Sequence, residues 1–188
     1  MPRNTRGLDL QQAYRDLHEV RGTHGYATSS TQYTTATLSD SRSSAPFFNS
    51  HANEIVRSYI LHRVKDIASS YDHVYVDFDL YSNASWASGI LSTNPYAVYY
   101  ESDNVLVKIE GSNEEYRESG GFLLSAHWDS VSTAPGATDD GMGVVTLLSM
   151  VKYFAENRPS RTVVFNINNG EEDGLNGAHV YAAILPWS

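Results

Sequence analysis

From residue 122 onward the apolar residues fall in a strand, helix, strand, helix order, and that order constrains the fold more than any other feature of the chain. Phe122-Leu123-Leu124-Ser125-Ala126 and Thr162-Val163-Val164-Phe165-Asn166-Ile167 are short apolar runs bounded by turn residues, and they read as buried strands. Between them, Gly141 to Ala155 sets Val144, Val145, Leu147, Leu148, Met150, Val151 and Phe154 nearly all round a helix, which must then be covered by a sheet and its neighbours. Strands joined through such a helix pair in parallel by a right-handed crossover. The expected fold class is α/β, a three-layer α/β/α sandwich around a mixed, mostly parallel sheet.

Upstream the pattern changes. Leu10, Ala13, Tyr14, Leu17 and Val20 recur at helical spacing over roughly residues 9 to 20, while residues 27 to 45 are dominated by Ser and Thr and read as a loop. A second helix follows, with Ala52, Ile55, Val56, Tyr59, Ile60, Val64 and Ile67 as its apolar stripe and Ser50 as its N-cap. Val74 to Leu80, Ala97 to Tyr100 and Val105 to Glu110 are short alternating segments expected to form strands.

The chemistry-bearing residues gather where these apolar runs end. His127 and Asp129 follow the first strand, two residues apart on one face. Pro135-Gly136-Ala137-Thr138-Asp139-Asp140-Gly141 is a turn opening the apolar helix, and Asn168-Asn169-Gly170-Glu171-Glu172 closes the second strand. Taken singly each has an ordinary explanation: a histidine bonded at a strand end, aspartates capping a helix, glutamates favouring a helix N-terminus. Together they bring one imidazole and five carboxylates to the strand ends, where α/β proteins build sites. A hydrolytic zinc site needs imidazole and carboxylate ligands, an open position for water and a base beside it. His127 and Glu172 suit one metal, Asp139 can bridge two, Glu171 remains as the base, and Asp129 fits as the partner that orients His127. Trp128, between two of these residues, alternates away from them into the core.

These residues carry a resemblance. His127-Trp128-Asp129-Ser130, Gly136-Ala137-Thr138-Asp139-Asp140-Gly141-Met142-Gly143 and Asn168-Asn169-Gly170-Glu171-Glu172-Asp173-Gly174-Leu175 resemble, in order, three motifs of the co-catalytic di-zinc aminopeptidases. Asn49-Ser50-His51-Ala52-Asn53-Glu54, Asn104 to Gly111 and Pro186-Trp187-Ser188 are similar to the lumenal peptidase domain of the fungal vacuolar membrane proteases. The resemblance covers residues 46 to 188 well and the first 45 weakly. It implies that His127 and Glu172 bind the first zinc, that Asp139 bridges both zincs, that Asp129 orients His127, and that Glu171 is the general base and acid. It also implies a peptide substrate, a vacuolar membrane location on the lumenal side and a membrane anchor elsewhere in the protein.

One departure stands against these matches. The family's second zinc takes a further aspartate and histidine downstream of the glutamate pair, yet nothing acidic follows Asp173 here and the last histidine is His179. The expectation is a single truncated zinc peptidase domain over residues 1–188, incomplete at its C-terminal side, with two zincs in the complete domain and little activity in this chain. Two alternatives on the same fold are a non-catalytic ectodomain or pseudoenzyme and a one-zinc acyltransferase of the glutaminyl-cyclase type.

Composition agrees where it bears on the matter. Without cysteine any metal must be held by nitrogen and oxygen. A formal charge of −9 argues against nonspecific nucleic-acid binding. No apolar run approaches the 18 or so residues of a membrane span, and Asn83-Ala84-Ser85 is an acceptor sequon for N-glycosylation.

Overall fold

The crossover expected from the sequence is present. In the computed structural model, which describes residues 9–20, 50–78, 84–86, 97–99, 104–117, 120–131 and 133–184, strand β5 (Phe122–His127) pairs in parallel with β6 (Val163–Asn168) through helix α4 (Met142–Glu156). Ahead of them come α1 (Leu10–Val20), α2 (His51–Ala68), β1 (Val74–Phe78), β2 (Ala84–Trp86), β3 (Ala97–Tyr99), β4 (Val105–Ile109) and the short α3 (Glu114–Arg117); α5 (Asn176–Ile184) follows. The Ser/Thr-rich stretch 27–45, Asn83 and the terminal residues 186–188 lie outside the described residues.

The sheet is mixed, with strand order β1-β4-β6-β5, and a separate hairpin pairs β2 with β3. The expected predominance of parallel pairing is corrected: among the described strands only β5 and β6 run parallel, and β4 is antiparallel to both β1 and β6. Parallel neighbours need a long crossover, and among the described residues a full helix links only β5 to β6. Between β1 and β4 in sequence lie β2 and β3, which pair with each other and not with the main sheet.

Register sorts the side chains by face. Val105, Val107 and Ile109 pair with Ile167, Phe165 and Val163, so these six apolar side chains point the same way. They are buried against Val56, Ile60, Val64 and Ile67 of α2 and Val144, Leu148 and Val151 of α4. Ser50 caps α2 by accepting the Asn53 N–H at 3.1 Å, as its position before the stripe requires. Ile55 departs from the expected stripe and is exposed, as is Tyr14 on α1. The inward face of α1 instead includes Asp16, 2% exposed, which accepts from Tyr59 Oη at 2.6 Å and Gln12 Nε2 at 2.7 Å and pairs with Arg63 Nε at 3.3 Å. The burial of Asp16 is tolerated because two hydrogen-bond donors and a guanidinium, all partly exposed, surround its carboxylate. Along α4, Met142, Thr146 and Tyr153 remain exposed, so the helix is covered over most of its circumference rather than all of it.

Candidate metal centre

Because β5 and β6 are parallel and in register to their last pair, His127 opposite Asn168, their C-terminal ends lie side by side. The Trp128 N–H extends the ladder by donating to the Asn168 carbonyl at 3.1 Å. Trp128 then enters the core, and alternation turns His127 and Asp129 the other way. Asp129 has no solvent exposure, and its two carboxylate oxygens accept the N–H groups of Glu171 and Glu172, each at 3.1 Å. The loop after β5 is thereby bonded to the turn after β6. That turn bends through Gly170 at φ 72° and Gly174 at φ 112°.

The third loop joins through Asp140. Its Oδ1 accepts the Gly143 N–H at 3.1 Å, three residues on, and its Oδ2 accepts the His127 N–H at 3.4 Å. The first bond satisfies an otherwise open donor in the first turn of α4; the second ties that turn to the end of β5. Asp139, one residue earlier, is left pointing outward and is largely exposed.

His127 sits at the junction. Its Nδ1 is 3.0 Å from the Asp129 carbonyl oxygen and 3.4 Å from Asp129 Oδ1, while its Nε2 faces Asp139 Oδ1 at 3.3 Å and Glu171 Oε2 at 3.6 Å. Burial is the largest single influence on this ring and works to lower its pKa. The hydrogen bond and charge of Asp129 together with the charge of Glu171 override burial and raise the pKa from 6.5 to about 9. Glu172 is raised too, first by burial and then by the charges of Asp139 and Glu171; Asp173 is raised by burial and by the charge of Asp129.

All five residues picked from the sequence are therefore in one place. The donor set suits zinc in kind: one imidazole nitrogen with carboxylates beside it and no thiolate. In the neutral ring, with Nδ1–H given to Asp129, Nε2 has the free lone pair a ligand needs. Its 3.3 Å separation from Asp139 Oδ1 is close to the roughly 3.3 Å between ligands around a tetrahedral ion with bonds of about 2.0–2.1 Å. Among the described residues no three such side chains close around a common point, so a metal would draw the carboxylates inward. The nearer glutamate to Nε2 is Glu171.

The capping role open to the aspartates at this helix start falls to Asp140, which bonds the Gly143 amide; its second bond, to the His127 amide, was not legible in the sequence. Also missed were Asn53, Asn104 and Asn169, which hold the glutamate turn from behind and are distant in sequence.

Residues 104–188 match the sequence profile of Peptidase family M28. This segment belongs to that family. Over 96% of the chain the sequence is 49% identical to a vacuolar membrane protease of Laccaria bicolor, and it covers 15% of that protein. Over its whole length it is 46% identical to a vacuolar membrane protease of Schizophyllum commune, covering 18% of it. The chain thus spans less than a fifth of the length of these relatives. Among solved structures, LapA aminopeptidase of Legionella pneumophila superposes with a TM-score of 0.59 at 13% identity, over 94% of this chain and 38% of that one. At that identity the likeness is one of fold.

Proposed function

We propose that the chain carries the zinc-binding part of a metallopeptidase domain that removes residues from peptide N-termini. The carrying observation is the convergence on His127 Nε2 of Asp139 and Glu171, with Nδ1 turned to Asp129 and Asp129 bonded to the amides of both glutamates. In this reading His127, Asp139 and Glu172 are ligands, and Asp139 is the candidate bridge to a second ion. A bound zinc supplies Lewis acidity that polarises a scissile carbonyl and makes a water easier to deprotonate. Glu171, part-exposed and beside Nε2, takes the proton from the attacking water and delivers it to the leaving amine. Asp129 fixes the ring of His127 and the backbone from which both glutamates project.

Residues 1–188 offer no acid after Asp173, and their one later histidine, His179, lies in α5, so the reading assigns them one zinc and little turnover. The relatives' names support a place at the vacuolar membrane within a longer, anchored protein, with this domain on the lumenal side. No helix among the described residues is long and apolar enough to cross a membrane.

The test compares residues 1–188 with the same chain joined to the relatives' downstream segment. Zinc per chain and hydrolysis of an aminoacyl chromogenic substrate are measured in both. In the longer form Glu171→Gln lowers turnover by about 10²- to 10⁴-fold with zinc retained, whereas Glu172→Ala loses zinc. Zinc lost from the first variant and kept by an active second one reverses the two roles. Cyclisation of an N-terminal glutaminyl peptide without peptide hydrolysis would instead favour the acyltransferase.

A further inference from the structure

We propose that the buried amide pair Asn53–Asn169 is a positioning device that sets where Glu171 and Glu172 stand; the proposal rests on the reading of the His127 site as metal-binding. The chain leaves β6 at Asn168 and must present both glutamates within four residues, and Asn169 is the anchor of that turn. Its N–H donates to Asn104 Oδ1 at 3.3 Å, and its carbonyl accepts the Gly177 N–H at 3.0 Å. Its side chain makes two reciprocal bonds with Asn53: Asn53 Nδ2 donates to Asn169 Oδ1 at 2.9 Å, and Asn169 Nδ2 donates to Asn53 Oδ1 at 3.1 Å. Asn104 Nδ2 closes the ring by donating to the Gly177 carbonyl at 2.9 Å. All three asparagines are buried. Gly177 can approach this closely only because it lacks a side chain, since a Cβ there would lie 2.6 Å from Asn104 Oδ1 and overlap the Asn169 carbonyl.

Asn53 reaches the turn from outside it. It lies 116 residues away in the first turn of α2, where its own N–H is held by Ser50 Oγ, so its location is set by a helix that the core fixes independently. It also lies outside the residues matched by the family profile. The glutamate turn is consequently held at two points: Asp129 grips the amides of Glu171 and Glu172, and Asn53 with Asn104 grips Asn169.

Stability alone does not call for amides here. A buried hydrogen-bonded pair replaced on both sides by apolar groups of similar shape is often close to neutral. What two opposed N–H···O bonds add is direction: they permit one placement of Asn169 relative to α2, whereas packed leucines tolerate several. That requirement belongs to a site whose carboxylates must stand in fixed places.

The experiment uses residues 1–188 and reads zinc affinity by chelator competition, hydrogen exchange at the Glu171 and Glu172 amides in zinc-free protein, and the midpoint of urea unfolding. Asn53→Leu is expected to weaken zinc binding about 10- to 100-fold, to speed exchange at both amides while Val107 and Phe165 stay protected, and to lower the midpoint. The double variant Asn53→Leu/Asn169→Leu regains the midpoint and keeps the weak zinc binding and fast exchange. Asn53→Ser, small enough for water to satisfy Asn169, covers the case in which the leucine variants fail to fold, and it too binds zinc about tenfold more weakly. Full zinc affinity in the double variant or in Asn53→Ser would overturn the proposal and leave the pair a packing feature. If His127→Ala, run in parallel, leaves zinc affinity unchanged, the metal-site reading fails, while the exchange data still decide whether Asn53 positions the turn.

Discussion

Replacing Asp129 by asparagine separates what its charge does from what its shape does. Its two oxygens accept the amides of Glu171 and Glu172, both at 3.1 Å, from a side chain with no solvent exposure. Hydrogen bonds to a charged group contribute about 1.5–3 kcal/mol each, so the pair supplies roughly 3–6 kcal/mol. Asparagine keeps one acceptor, contributing about 1 kcal/mol as a neutral bond, and turns its NH2 toward the other amide, donor against donor. The loss is then roughly 2–5 kcal/mol before the turn relaxes, a large part of the ~5–15 kcal/mol that holds a typical domain folded. Zinc affinity falls as well, by about 10- to 100-fold, because Asp129 Oδ1 also lies 3.4 Å from His127 Nδ1 and helps to fix the ring. Urea unfolding of zinc-free protein reads the first effect and chelator competition the second. A variant within about 0.5 kcal/mol of the parent, with unchanged zinc affinity, would refute the role drawn from these two bonds.

The raised pKa of His127, about 9 against 6.5, means that the protonated ring stabilises the zinc-free fold fully below about pH 6.5 and that this contribution is lost as pH rises through about 9. Zinc needs the neutral ring, so its affinity should climb about tenfold per pH unit from roughly pH 7 to 9, with a proton released that calorimetry in different buffers can count; a flat profile contradicts the shift. Gly143→Ala would drive a Cβ into the Asp140 carboxylate, breaking its bonds to the Gly143 and His127 amides; the expected cost is about 1–3 kcal/mol in urea unfolding together with weaker zinc binding. Asp16→Ala removes the acceptor of the part-buried Tyr59 hydroxyl and the partner of Arg63 at the α1–α2 contact and should cost about 1–3 kcal/mol; an unchanged melting temperature would show that α1 contributes little.

Local patterns were legible in the sequence and long-range pairings were not. Phe122 to Ala126, Thr162 to Ile167 and the intervening helix were readable because apolar periodicity is a property of neighbours, and their order implied the β5–β6 crossover. The same periodicity says nothing of which strand β4 joins, so its antiparallel place between β1 and β6 came only from the structure. Asp16 was hidden for a related reason. A carboxylate is counted as solvent-facing, and only the arrival of Tyr59 and Arg63 from another helix makes its burial tolerable. At the site, residue types at strand ends located His127, Asp129, Asp139, Glu171 and Glu172, but the joints between their loops are side chain to backbone bonds spanning 42 and 43 residues at Asp129 and 65 at Asn104.

The two kinds of perturbation at the site have one source in common. His127 is held protonated by Asp129 and Glu171, which stabilise a positive ring against its own burial. Glu172 is held toward its neutral form, chiefly by burial and then by the charges of Asp139 and Glu171, which oppose one more negative group. A base pushed up by nearby carboxylates against its own burial, beside an acid pushed up by burial and then by the same negative charges, marks a place with more negative charge than its surroundings compensate. In a cation-free state the proton on His127 is the available compensation. If His127 Nε2 and the neighbouring carboxylates held a divalent cation, its charge would take the place of that proton and lower the cost of ionising Glu172. The crowding of acids at these strand ends is therefore a cost to the fold that cation binding would offset, and the bonds of Asp129 and Asp140 to backbone amides keep the three loops from moving apart.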